Sequence, residues 1–310
     1  MKEALVGYTG FVGSNICYSH KFDAVYNSKN ITDAFNTSPD LLVFSGLRAE
    51  KYLAGEFPEK DLELIKQAEK NIERIRPKKI VLISTIDVFK EPVNVDERTP
   101  INIDGIHPYG LHRFYLEKWV TENFSDSLII RLPGLFGRNI KKNFIYDMIN
   151  IIPFMLNQVK FNELSSKDPV IRKYYKLQDN GFYKLIVNEE ERASLKDRFI
   201  NLGFTALNFT DSRSRYQFYD LRRVWNDIDK ALQNDIKIFH PATEPVSAEE
   251  LIRYVRGERF VNELNGTPAN YDFKTIYNSV FGGSNGYISS KDEILRKIAS
   301  FVDEYKQGIK

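Results

Sequence analysis

Gly7-Tyr8-Thr9-Gly10-Phe11-Val12-Gly13 follows the strand-like residues 4–7 and precedes a helix that begins near Ser14, and this strand-to-helix context decides the fold. Three glycines at this spacing permit a tight turn, let backbone approach a pyrophosphate, and set a helix N-terminus with its unpaired N–H groups against the phosphates. A dinucleotide is therefore expected on Gly7, Thr9, Gly10, Phe11, Val12 and Gly13; the alternative is a merely tight turn.

Outward from this loop, short apolar runs alternate with longer amphipathic ones, the pattern of a parallel sheet covered by helices on both faces. Residues 23–26, 41–45, 80–84 and 128–131 read as strands. Over 61–76 the apolar positions Leu62, Ile65, Ala68, Ile72 and Ile75 recur at helical spacing until Pro77 stops the run. A second helix over 109–124 carries Leu116, Trp119 and Val120 on its apolar side. Residues 143–160 read as helical, and a polar, aromatic-studded stretch to about 211 reads as a separate lobe. A helix over 219–232 leads into a strand at 236–239, and Ser247 with Glu250 and Ser290 with Glu293 form capping boxes of two further helices. The expected class is α/β. Residues 1–139 plus about 216–241 make a Rossmann-type, doubly wound parallel sheet, and about 140–215 plus 242–310 make a smaller, mostly helical substrate lobe.

Composition narrows the function. The chain has 310 residues, 42% hydrophobic and 28% charged, and 44 basic against 42 acidic side chains leave a net charge of +2, too little to imply a nucleic-acid partner. Cys17 is the one cysteine, which excludes an intrachain disulfide framework. No run of about 18 apolar residues is present to span a bilayer, and the N-terminal pattern is not that of a signal peptide, so a cytoplasmic protein with a small-molecule partner is expected.

About 20 residues past a glycine loop, a cofactor without a ribose phosphate usually meets Asp or Glu. Here Asn27, Ser28 and Lys29 follow the second strand, and a lysine with a hydroxyl can hold a 2'-phosphate, which favours NADP over NAD.

The sequence resembles the extended short-chain dehydrogenase/reductase family, which includes sugar-nucleotide epimerases, dehydratases and reductases. In Val81-Leu82-Ile83-Ser84-Thr85-Ile86-Asp87-Val88-Phe89, Thr85 stands at the family's catalytic hydroxyl position. In Pro108-Tyr109-Gly110-Leu111-His112-Arg113, Tyr109 stands at the acid/base position and Arg113 where the family has lysine. The resemblance implies an NAD(P)-dependent oxidoreductase or epimerase acting on a nucleotide-linked sugar, with Thr85, Tyr109 and Arg113 as the catalytic group. Ser45, Gly46, Ser84 and Pro133, at strand ends, complete the implied cofactor set with Tyr109 and Arg113. It also implies a homodimer through the helices at 61–76 and 109–124.

Residues four apart on a helix share a face, so Tyr109 and Arg113 can project together, and a cation beside a phenol favours phenolate. The family's dehydratases carry a Thr-Asp-Glu run; Thr85-Ile86-Asp87 lacks the acid half, which disfavours dehydration and leaves Asp87 as a base, a substrate contact or a turn cap. Asn143 and Arg213 resemble residues that contact the substrate diphosphate in UDP-galactose epimerases; the alternatives are a helix cap and a surface charge. Phe161, Tyr174, Tyr175, Phe182 and Tyr183 read first as core and second as a lid or base-stacking surface. His20, His107, His112 and His240 are scattered without metal-ligand spacing, so no metal is expected, and His112 is expected at the surface. The rival from another class is a noncatalytic dinucleotide sensor, which needs the glycines but not Tyr109.

Overall fold

In the computed structural model, which describes residues 1–308, six strands form one sheet in the order Ile238–Phe239, Ser127–Leu132, Lys79–Thr85, Leu41–Phe44, Glu3–Val6, Ala24–Tyr26. All neighbours run parallel. The chain leaves the first strand to one side and returns on its other side, so the strand order reverses between Glu3–Val6 and Leu41–Phe44, where an open α/β sheet leaves a crevice at its carboxyl ends.

Both faces of the sheet are covered, which is why its central strands are buried throughout: every residue of Leu41–Phe44 and of Ser127–Leu132 is buried, Ser127 and Arg131 included. Alternate side chains enter two cores. Leu5, Val43, Val81 and Ile130 pack with Ile16 and Ile228, which lie on Phe11–Ser19 and Val224–Gln233. Ala4, Leu42, Ile80 and Ile129 pack with Ile65, Ile72, Leu116 and Val120 from Pro58–Ile75 and Pro108–Asn123. The first of these two helices ends at Arg76, in the left-handed region at φ 57°, ahead of Pro77.

Two compact units emerge. One comprises residues 1–140, 215–246 and 270–308, and the other residues 141–214 and 247–269. Residues 270–308 thus cluster with the sheet, where the sequence pattern put all of 242–310 in the lobe. Ile288 N–H donates to the Ala242 carbonyl at 2.7 Å, and Phe301 meets Phe136 with ring centroids 5.7 Å apart. The apolar stripe of Lys291–Lys306 is legible in sequence, but its partner is not.

The second unit departs from the expected helix over 143–160. Helices run Phe144–Ile149 and Gln158–Lys167, separated by the strand Met155–Leu156, because Pro153 cannot continue a helix. Met155–Leu156, Tyr183–Leu185 and Tyr175–Leu177 pair as a small antiparallel sheet. Phe161, Tyr174, Tyr175, Leu195 and Phe199 fill this unit's own core, and Phe161 stacks on Tyr183 at 3.7 Å, so the aromatic stretch packs as core. In the first unit the helix expected from 219 starts only at Val224, because Phe218–Asp220 pairs as a strand with Gly134–Phe136. No helix among the described residues is long and apolar enough to cross a membrane.

Candidate functional site

The glycine loop sits at the strand-order reversal. Gly7 adopts φ +97°, and a Cβ there would lie 2.5 Å from the Ser45 carbonyl oxygen, so only glycine fits. A Cβ on Gly13 would collide with the Gly7 carbonyl; its absence lets Phe11–Ser19 close directly onto the turn. Gly10 begins that helix with no side-chain cap and no acidic residue in the first turn. Backbone N–H groups and the positive end of the helix therefore face a cradle that side chains leave open, which fits a pyrophosphate.

Ser45 and Gly46 follow the strand beside the loop, and Ser45 is fixed by N–H and Oγ donation to the Val6 carbonyl at 2.9 and 3.0 Å. After the second strand, Lys29 N–H donates to Asn27 Oδ1 and Asn27 N–H to Asn30 Oδ1, both at 2.8 Å. This turn presents Ser28 and Lys29 exposed, as a phosphate-holding pair requires. Ser84 is a different case: its Oγ donates to the buried Glu117, which Arg131 holds bidentately at 2.7 and 3.0 Å, so its hydroxyl is committed to structure. Pro133 lies between Ser127–Leu132 and Gly134–Phe136.

Thr85 ends the fourth strand of the chain, and its Oγ1 accepts from Asp87 N–H at 3.2 Å, which leaves the hydroxyl hydrogen free to donate elsewhere. Tyr109 opens Pro108–Asn123, where His107 Nδ1 accepts its N–H at 3.2 Å. Gly110 explains how the two segments meet. A Cβ at this position would strike the Asp87 carbonyl, so the missing side chain lets the helix start rest on the turn that carries Thr85 and Asp87.

Arg113 lies over the Tyr109 ring, its guanidinium carbon 3.9 Å from the centroid. The same guanidinium is anchored to Asp61 Oδ2 at 2.6 Å, to the Tyr109 carbonyl at 3.1 Å and to the Arg48 carbonyl at 2.8 Å. Asp61 answers the cation, so the guanidinium is shared between the carboxylate and the ring. Burial raises the Tyr109 phenol above its ordinary value; Arg113 opposes that rise, while Asp87 and Asp61 add to it. His112, expected at the surface, is buried with Nδ1 2.8 Å from Asp61 Oδ2, because the facing helix brings one carboxylate to both neighbours.

Four residues of this cluster were not singled out from sequence: Arg48, Lys51, Asp61 and Tyr271. Asp61 left a signal, since it occupies the same helical stripe as Ile65, Ala68, Ile72 and Ile75, where a carboxylate needs a buried partner. Lys51 Nζ lies 3.1 Å from Asp87 Oδ2, and Tyr271 Oη donates to Asp87 Oδ1 at 3.0 Å.

In the second unit, Asn143 accepts from the N–H groups of Ile145 and Tyr146 at 3.0 and 3.2 Å, which is the capping role. Arg213 is held by Asp211 at 2.7 Å and by Glu263 at 3.1 Å, and Asp211 is correspondingly held far below the usual carboxylate range by Arg213.

No family model matches the chain. No curated protein matches it. Solved structures do. A dTDP-4-dehydrorhamnose reductase from Yersinia enterocolitica superposes with a TM-score of 0.64 at 12% identity, covering 98% of this chain and all (100%) of the other. A dTDP-4-dehydrorhamnose reductase from Bacillus anthracis, in complex with NADP, gives 0.63 at 14% identity over 98% and 99% of the two chains. A UDP-glucose 4-epimerase from Thermotoga maritima, with UDP-glucose, gives 0.62 at 11% identity over 100% of both. The chain shares the fold of these solved structures.

Proposed function

We propose that this protein is an NADP-dependent reductase of a nucleotide-linked keto sugar. One observation carries the reading: an open, uncapped glycine loop and a Thr85–Tyr109 pair stand in one unit whose fold is that of sugar-nucleotide reductases and epimerases. NADPH would be held by Gly7, Thr9, Gly10, Phe11, Val12 and Gly13, with Ser28 and Lys29 on the 2'-phosphate and Ser45, Gly46 and Pro133 along the strand ends, and bound there it would supply the hydride. Thr85 donates its hydroxyl hydrogen to the sugar carbonyl oxygen, and Tyr109 delivers a proton to the same oxygen. Burial raises the phenol above its ordinary value, and in this reading Tyr109 starts the reaction protonated, as the acid of a reduction. Arg113 packs on the ring and fixes its orientation.

Thermal unfolding with NAD(H) and NADP(H), alone and with UDP, dTDP, GDP or CDP, tests both ligands, since a ligand at about 100 times its Kd adds roughly 2.7 kcal/mol. NADP(H) and one nucleoside diphosphate are expected to raise Tm. Tyr109→Phe is then expected to retain NADP while turnover falls by about 100- to 10,000-fold. Unchanged turnover would remove Tyr109 as the acid, and a shift with dinucleotide alone would put a sensor in place of the enzyme.

A further inference from the structure

The strand Leu41–Phe44 hands the chain to Ser45, which the glycine loop touches on two sides. Gly7 lies against its carbonyl and Gly13 against its Oγ, each so close that a Cβ would collide. The residues that follow, 46–61, run along the start of Pro108–Asn123 and the turn beneath it. The Arg48 carbonyl accepts from Arg113 at 2.8 Å, and Lys51 Nζ lies 3.1 Å from Asp87 Oδ2. Gly55 passes so near His107 that a Cβ would lie 2.9 Å from its Nε2. Asp61 Oδ2 then meets His112 and Arg113 at 2.8 and 2.6 Å.

Arg113 ties the two ends of this segment together. Nη1 donates to Asp61 and to the Tyr109 carbonyl, and Nη2 donates to the Arg48 carbonyl. A guanidinium spreads its hydrogens over nitrogens fixed in one plane, so it holds acceptors on separate sides at once; an ammonium offers a single nitrogen on a flexible stem. Arg113 is 3% exposed and lies over the Tyr109 ring, so its fork is turned to protein acceptors. An unbroken chain thus runs from Gly7 and Gly13 through Ser45 and Arg48 to Arg113 and Tyr109. A contiguous chain of this kind can carry coupling between two sites.

We propose that Arg113 is a positioning residue that joins dinucleotide binding to the placement of Tyr109. A dinucleotide on the glycine loop fixes Ser45, and residues 46–48 with the Arg113 fork pass that restraint to the Tyr109 ring, so the acid is held most firmly when the hydride donor is present. In place of the cofactor contact that the resemblance implies at Arg113, this chain has a clamp. The inference rests on the dinucleotide part of the reading above.

The test is amide hydrogen exchange of the whole chain, read by mass spectrometry with and without NADP. NADP is expected to slow exchange over residues 7–16 and, by about fivefold or more, over 107–113. Two variants carry the test: Arg113→Lys, and Asp61→Leu combined with Arg113→Met, which removes both buried charges together. Both are expected to keep the slowing over 7–16 and to lose it over 107–113. By reciprocity, NADP affinity in calorimetric titration is expected to fall by the factor that is lost. A merely structural Arg113 would speed exchange over 107–113 equally with and without NADP and leave the NADP-dependent slowing intact, which overturns the proposal. Slowing confined to 7–16 in the unmodified protein also overturns it and leaves the dinucleotide reading standing. If neither segment responds to NADP, the dinucleotide reading falls and this inference falls with it.

Discussion

Two helix starts in the first unit, one directly past its strand at Phe11 and one beyond a 3-10 turn and a loop at Pro108, are built in opposite ways. At Gly10 the helix begins without a side-chain cap, and the missing side chains of Gly7 and Gly13 let turn, helix and neighbouring strand close on one another. At Tyr109 the start is closed: His107 caps it, Gly110 lies on the Asp87 carbonyl, and Arg113 is tied to Asp61 and to two backbone carbonyls. The first arrangement leaves backbone groups for a ligand. The second fixes side chains relative to one another, which is what a reacting pair needs.

The largest expected effect comes from releasing the anchor of the closed start. Asp61→Ala removes the carboxylate shared by His112 and Arg113 and leaves a buried guanidinium without its counter-charge, a loss of about 4 kcal/mol in urea unfolding. Asp61→Leu combined with Arg113→Met is expected to recover most of that loss, because replacing both partners removes the uncompensated charge. Loss of less than about 0.5 kcal/mol in the single variant, within the range of ordinary surface substitutions, would show that Asp61 is not the anchor.

Next come the two glycines that make the starts possible. Gly13→Ala and Gly110→Ala each drive a Cβ into a backbone carbonyl, of Gly7 and of Asp87, and each is expected to cost about 3 kcal/mol. Their functional signatures should differ. Gly13→Ala is expected to abolish the NADP-induced rise in Tm, whereas Gly110→Ala keeps it and loses turnover. Identical signatures would mean the two starts form one undivided site.

The sheet and the open start were legible because each is a local matter. Apolar runs of four to six residues, and glycines at 7, 10 and 13, carry their meaning within a dozen neighbours. The closed start was legible only in half. Tyr109, Thr85 and Arg113 could be placed, yet the anchoring of Arg113 depends on Asp61, 52 residues away, and that of Asp87 on Tyr271, 184 residues away. Spacing along one chain does not encode such meetings. Pro153 is a miss of another kind, since the break it makes in 143–160 was present in the sequence itself.

A third helix start sharpens the comparison at the small end of the scale. Asn143 caps Phe144–Ile149, but Asp147 in its first turn is half-buried, and desolvation pushes its carboxyl up to about 7. A carboxyl whose folded pKa is raised binds its proton more tightly folded than unfolded, so folding loses stability as pH rises from the unfolded value near 4 to about 7. The penalty is absent below that window and complete above it. Asp147→Asn is therefore expected to stabilise the protein at pH 8 by about 2 kcal/mol, after allowance for the residual exposure of the carboxyl, and to be neutral at pH 4. Unfolding curves of the two proteins at pH 4, 6 and 8 measure this directly. A difference that does not grow with pH would mean that Asp147 is ionised at no cost, which requires a compensating donor and would make this third start a closed one like that of Tyr109.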